Sequence, residues 1–188
     1  LLAAIGGQKR YLATPRVTKH RLFCWLDVAV LPDCQVIAFA RDDDYFMGVL
    51  QSKVHELWAI AQGSQLEDRP RYTPSSTFET FPLPWSPGAE DHRSVTYRQI
   101  AAAAGTLDAL RAGALNPDKE LAPLEAAVVR TEDLSGIPEP AHPLIRWSAV
   151  MARAAEDPRL RKRTLTNLYN ERPAWLREAH RALDEAVL

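Results

Sequence analysis

The segment from Gly63 to Tyr72 places Glu67, Asp68 and Arg69 directly ahead of Arg71 and Tyr72, a set of side chains suited to the hydrogen-bonding edge of a nucleobase. A guanidinium fork matches the O6 and N7 acceptors of guanine, and a carboxylate accepts from N4 of cytosine. Glu67 and Arg69 together therefore hold the groups needed to read one C·G pair. A Glu-Asp-Arg run is also what an exposed surface ion pair looks like, and its spacing does not separate the two readings. A second set, Lys9, Arg10, Arg16, Lys19 and Arg21, crowds into the first 26 residues with no acid among them, interleaved with Tyr11, Thr14 and Thr18. Cations that neutralise phosphate beside hydroxyls that hydrogen-bond it fit this pattern. A solvated edge strand that uses Lys and Arg to discourage aggregation fits it equally.

The elements that must carry these residues divide the chain in two. Arg21 to Val30 and Cys34 to Ala40 are apolar, β-branched and aromatic, with Leu31-Pro32-Asp33 as turn chemistry between them, and predict a hairpin of buried strands. From Asp43 the period becomes helical: Phe46, Met47, Val49, Leu50, Val54, Leu57, Trp58 and Ala61 form one stripe, with Asp42 to Asp44 as capping acids and Gly63 as the stop. An irregular stretch, 64 to 86, ends in the proline and glycine boundary Trp85-Ser86-Pro87-Gly88. Beyond it the spacing predicts a helix over 90–114, with Ile100, Ala103, Ala104, Leu107 and Leu110 on its stripe. Loops with a short helix around Leu124 to Arg130 follow, then helices at Leu144 to Ala155 and Ala174 to Val187. The fold class expected is α+β: a strand-rich module with a packing helix over residues 1–86, then an all-helical region over 87–188.

Bulk properties narrow the chemistry. With 188 residues and a net charge of −1, the chain as a whole carries no field that would attract nucleic acid, so any such contact depends on local patches. Cys24 and Cys34 have neither a CxxC neighbour nor a His at ligand spacing, and are expected to be reduced packing residues of a cytoplasmic protein. No apolar run approaches the ~20 residues that cross a bilayer, so no membrane partner is expected. The chain opens on Leu rather than Met, and Leu1 to Ile5 look like the end of an element already under way, as in a piece of a longer protein.

Lys9 to Arg21 (Lys9-Arg-Tyr-Leu-Ala-Thr-Pro-Arg-Val-Thr-Lys-His-Arg21), Phe39-Ala-Arg-Asp-Asp-Asp-Tyr-Phe46, Ser52-Lys-Val-His-Glu-Leu-Trp58, Arg71-Tyr-Thr73 with Phe78-Glu-Thr-Phe-Pro-Leu-Pro84, and Leu165-Thr-Asn-Leu-Tyr-Asn170 with Arg172-Pro173 and Trp175-Leu176 occur in one order along nearly the whole chain. In that order they resemble the C-terminal part of single-chain, S-adenosylmethionine-dependent DNA adenine methyltransferases of type II restriction-modification systems, including combined methyltransferase-endonucleases. The resemblance implies that residues 1 to about 86 are the latter part of a target recognition domain, followed by a helical C-terminal region.

It further implies that Glu67 and Arg69, shortly before the Arg-Tyr pair, take part in setting the recognised sequence. Lys9, Arg10, Tyr11, Thr14, Arg16, Lys19, Arg21 and Arg71 would contact DNA, and Asp44 to Trp58 would be a packing helix, making His55 structural. The implied partners are double-stranded DNA and the methyltransferase domain of the same parent chain. S-adenosylmethionine, and Mg2+ for an endonuclease, would belong to that parent, because this sequence has neither a glycine-rich turn after a first strand nor an Asn-Pro-Pro-Tyr-like motif. The chain itself is then expected to be catalytically silent. Two other classes remain: a structural or protein-interaction module, and an enzyme using His20 or His55 as a base.

Overall fold

The computed structural model describes residues 2–66, 69–131, 133, 135–136 and 142–188. After a single turn, α1 (Leu2–Ile5), strand β1 (Arg10–Pro15) forms the middle of a three-stranded antiparallel sheet, flanked by β2 (Cys24–Asp27) and β3 (Val36–Phe39) in the order β2-β1-β3. The register pairs Leu12 with Trp25 on one side and with Phe39 on the other. The two runs expected to form a hairpin with each other thus pair instead with the basic segment before them. The reason lies in β1: Tyr11, Leu12, Ala13 and Thr14 are all buried, as a central strand covered on both faces must be. Leu12 points into a core with Phe23, Phe39, Phe46, Met47, Leu50 and Tyr72, while Tyr11 and Ala13 join Ile5 on the opposite face.

Helices α2 (Asp44–Gln51) and α3 (Lys53–Gln62) follow, where the apolar stripe predicts one uninterrupted helix. Ser52, at φ −68° and ψ 157°, ends one and begins the other: its hydroxyl donates to the Val49 carbonyl at 2.7 Å and accepts from the His55 amide. The break changes which face is covered. Every residue of α2 from Tyr45 to Gln51 is buried, whereas Val54 and Leu57, expected on the same stripe, are exposed. Asp43 caps α2 by accepting from the Phe46 amide at 2.9 Å.

Strands β4 (Ser64–Leu66) and β5 (Arg69–Arg71) then form a two-stranded hairpin, and a π-helical turn, Pro74–Phe78, sends Phe78 back against Phe39 and Phe46. The long helix α4 (Val95–Leu115) presents Ile100, Ala104 and Leu107 as buried residues, and Gly48 of α2 is the notch that admits it. A Cβ on Gly48 would lie 2.7 Å from Ile100 Cγ2. Before α4, Glu90 is buried and bonds Arg41 at 2.7 Å, while Arg41 also holds Asp43, and Tyr45 stacks on Tyr97 at 4.5 Å between ring centres.

The remaining helices are α5 (Asp118–Thr131), α6 (His142–Ala154), α7 (Leu165–Glu171) and α8 (Ala174–Val187). Helix α5 is longer than the short helix expected around Leu124 to Arg130: it begins at Asp118 and runs through Pro123, which forfeits the bond its missing N–H would have made and crowds the preceding turn. By packing, Leu1–Asp108 with Pro173–Leu188 make one compact unit and Ala109–Arg172 a second, a division drawn differently from the composition change at residue 86. In the first unit the Asp184 carboxylate of α8 accepts from the Lys53 amide at 2.7 Å, capping α3 from outside it. In the second, Leu121 and Val128 of α5 meet Val150 and Ala154 of α6. An α+β module followed by helices is therefore the architecture of the chain.

Candidate nucleic-acid interface

The residues expected to meet DNA differ in how far their side chains are exposed. Tyr11 has no exposed surface and its hydroxyl donates to the Val30 carbonyl at 2.7 Å. Thr14, equally buried, donates to the Leu22 carbonyl at 2.7 Å. Arg10 lies 3.9 Å over the Trp25 ring, donates to the Asp42 carbonyl and pairs with Asp44 at 2.8 Å. Arg16 is half-buried and gives its Nε–H to the Cys34 carbonyl at 2.7 Å. Arg21, only 7% exposed, donates to Thr14 Oγ1 at 3.0 Å, to the Pro15 carbonyl and to the Pro70 carbonyl at 3.1 Å. These five side chains hold the sheet to its surroundings, so the basic run in the sequence does not become one basic stripe on the surface.

Lys9, Lys19, Arg69 and Arg71 are the exposed members. Arg69 and Arg71 belong to β5, and the Val17–Arg71 bridge joins that strand to the chain leaving β1, with the Tyr72 amide donating to the Arg16 carbonyl at 2.7 Å. The bridge brings Lys19 and Arg71 to the same small cleft, along with Glu56 and Ile60 of α3. Glu67 lies outside the described residues; Leu66 and Arg69, the paired ends of β4 and β5, flank it.

Behind β5 sits a buried polar cluster that the sequence does not announce. Carbonyl oxygens only accept, so the 2.8 Å contact from His55 Nδ1 to the Leu50 carbonyl assigns the proton to Nδ1 and leaves Nε2 to accept from Tyr72 Oη at 3.1 Å. Burial, reinforced by the nearby Arg21 cation, lowers the His55 pKa from 6.5 to about 4, so the ring is neutral at physiological pH. That environment fits a structural histidine, as the resemblance implies, and gives a base at this position no open path to a substrate. The Arg21 guanidinium stacks over the Tyr72 ring at 4.9 Å, and burial lowers its pKa to about 10, which still leaves it charged.

In the second unit, two of the four basic residues before α7 hold carboxylate partners. Arg159 pairs with Asp157, and Arg163 pairs with Glu120 at 2.6 Å while donating to the Ala114 carbonyl. Thr164 caps α7, and Asn167 Nδ2 donates to the Lys162 carbonyl at 2.8 Å, so this asparagine bonds backbone at the helix junction. Among the described residues no group of three or more His, Cys, Asp or Glu side chains is placed to hold a metal ion, and no helix is long and apolar enough to cross a membrane.

No protein-family profile matches the chain, and no curated protein is similar to it in sequence. Among solved structures it is similar to a Type IIL restriction-modification enzyme, MmeI, in complex with DNA, at 21% identity and a TM-score of 0.57. The likeness covers 96% of this chain and 18% of that one, so the chain spans about a fifth of the enzyme's length and shares the fold of that part of it.

Proposed function

We propose that the chain is a DNA-recognition module of a restriction-modification enzyme, docking on duplex DNA while a methyltransferase domain elsewhere in the same parent chain modifies an adenine. The observation that carries this reading is the fold shared along nearly the whole chain with part of a restriction-modification enzyme solved on DNA, a complex that bears on the engineering of new specificities. In this reading the β4–β5 hairpin approaches the major groove. Glu67 and Arg69 read bases, and Lys9, Lys19 and Arg71 contribute phosphate contacts. S-adenosylmethionine, and Mg2+ if the parent also cleaves, would be held outside these 188 residues. The exposed Val54, Leu57 and Ile60 along α3 favour a protein neighbour on that side, a place for the methyltransferase domain itself.

Fluorescence anisotropy of the chain on mixed-sequence duplex DNA tests the proposal. Affinity should fall linearly with the logarithm of salt concentration, by about 0.9 per phosphate contact, and Lys19→Ala and Arg71→Ala should each reduce that slope by about one. Selection of preferred duplexes from a random pool by the Glu67→Lys, Arg69→Asp double variant should return a changed base at one position. Absence of binding at low salt, or binding indifferent to salt, would reject the DNA reading in favour of a protein-interaction module.

A further inference from the structure

Arg21 is the least expected residue in the first unit. It is a charged side chain 7% exposed, and the partners that hold it are a hydroxyl, two carbonyls and the face of Tyr72, with no carboxylate among its bonds. Burying a cation on dipoles alone is costly, and a guanidinium is tolerated there because its planar fork reaches several acceptors at once. Those acceptors belong to different parts of the chain. Thr14 and Pro15 are the end of the central strand β1, and Pro70 is the middle residue of β5.

Pro70 is where β5 most needs such a bond. Proline has no N–H to add to a ladder. On the side facing the chain after β1, its carbonyl receives the Thr18 amide at a long 3.5 Å, and Arg21 Nη2 comes closer, at 3.1 Å. The residues on either side of Pro70 are Arg69 and Arg71, the exposed cations of the hairpin. Tyr72, the next residue, is gripped by His55 through its hydroxyl and by Arg21 through its ring.

We infer that Arg21 is a positioning residue for specificity: it pins the Pro70 peptide to the end of β1 and so fixes where Arg69 and Arg71 point, without touching DNA itself. This rests on the hairpin being the base-reading element, and it assigns Arg21 a role different from the phosphate contact that its place in the basic run suggests. Arg21→Lys keeps the charge but replaces the fork with one ammonium that cannot span Thr14, Pro15 and Pro70 together.

The test uses the whole chain with Arg21→Lys and the milder Thr14→Val, which removes one partner of the guanidinium and keeps the cation. Hydrogen exchange is read at the Arg71 and Tyr72 amides, with Leu12 of β1 as an internal reference. The expected result is exchange about tenfold faster at Arg71 and Tyr72 in both variants, with Leu12 unchanged. On DNA, the discrimination between preferred and altered duplexes should fall severalfold while the salt slope stays that of the wild type. A slope reduced by about one in Arg21→Gln, which removes the charge that Arg21→Lys keeps, would make Arg21 a phosphate contact and overturn the inference. Unchanged exchange at Arg71 and Tyr72 would overturn it as well, whether or not the chain binds DNA. If the wild type binds no duplex, the functional reading fails and the exchange experiment alone decides the pinning role.

Discussion

Acidification should act on this fold through the buried His55, among other groups. Its folded-state pKa of about 4 lies below the ordinary 6.5 because the ring is buried and sits beside the Arg21 cation, which together outweigh the opposing bond from Nδ1 to the Leu50 carbonyl. The unfolded chain, with an ordinary histidine, takes up a proton that the folded chain refuses between those two values. The stability contribution is therefore complete above pH 6.5, declines as pH falls through the window, and is spent near pH 4. The gap, at about 1.36 kcal/mol per pH unit, amounts to about 3 kcal/mol, a large share of the ~5–15 kcal/mol that holds a domain together. Urea denaturation of the wild type and of His55→Gln, followed by tryptophan fluorescence at closely spaced pH values, measures it. His55→Gln starts less stable but lacks this ionisation, so the difference between the two proteins should shrink by about 3 kcal/mol from pH 7 to pH 4. A difference that stays constant across that range, or a His55 imidazole that titrates near 6.5 by NMR, would refute the buried neutral pair.

Gly48→Ala should lower stability by about 1–3 kcal/mol in thermal or chemical denaturation, even though alanine is the better helix former. The new Cβ would meet Ile100 Cγ2 at 2.7 Å and the Ile100 carbonyl at 3.2 Å, and a β-branched side chain and a backbone atom have little room to yield. Asp184→Ala should cost about 1 kcal/mol by leaving the Lys53 amide without its carboxylate, and hydrogen exchange should localise the loss to the start of α3.

What could be read from the sequence was local. The helix at Ala174–Val187 follows directly from Pro173 and its apolar spacing, and the mixed strand-then-helix order from the change of period at Asp43. Strand partners were not legible, because pairing between neighbouring runs and pairing through an earlier third strand leave the same alternation; β1 took the centre only because its own face alternation places Tyr11 and Leu12 in separate cores. The break at Ser52 was hidden for a similar reason. The apolar residues continue at helical spacing through it, and only the backbone shows that the stripe turns away from the core. In the candidate interface, residue type identified the basic set but not its direction. Arg10, Arg16 and Arg21 look the same in a sequence as Lys19 and Arg71, and it is their carbonyl, ring and carboxylate partners from distant segments that tie them to the protein.

Helix α2 is buried on every side from Tyr45 to Gln51 and roofed by α4 at the Gly48 notch. A chain shortened at the composition change near residue 86 would retain every residue of the sheet and hairpin yet uncover a greasy cylinder where Ile100, Ala104 and Leu107 had lain. Such a piece would self-associate in water. The smallest piece of the first unit that stays in solution must carry this roof with it, so the sheet and hairpin are portable only together with the helix that shelters α2.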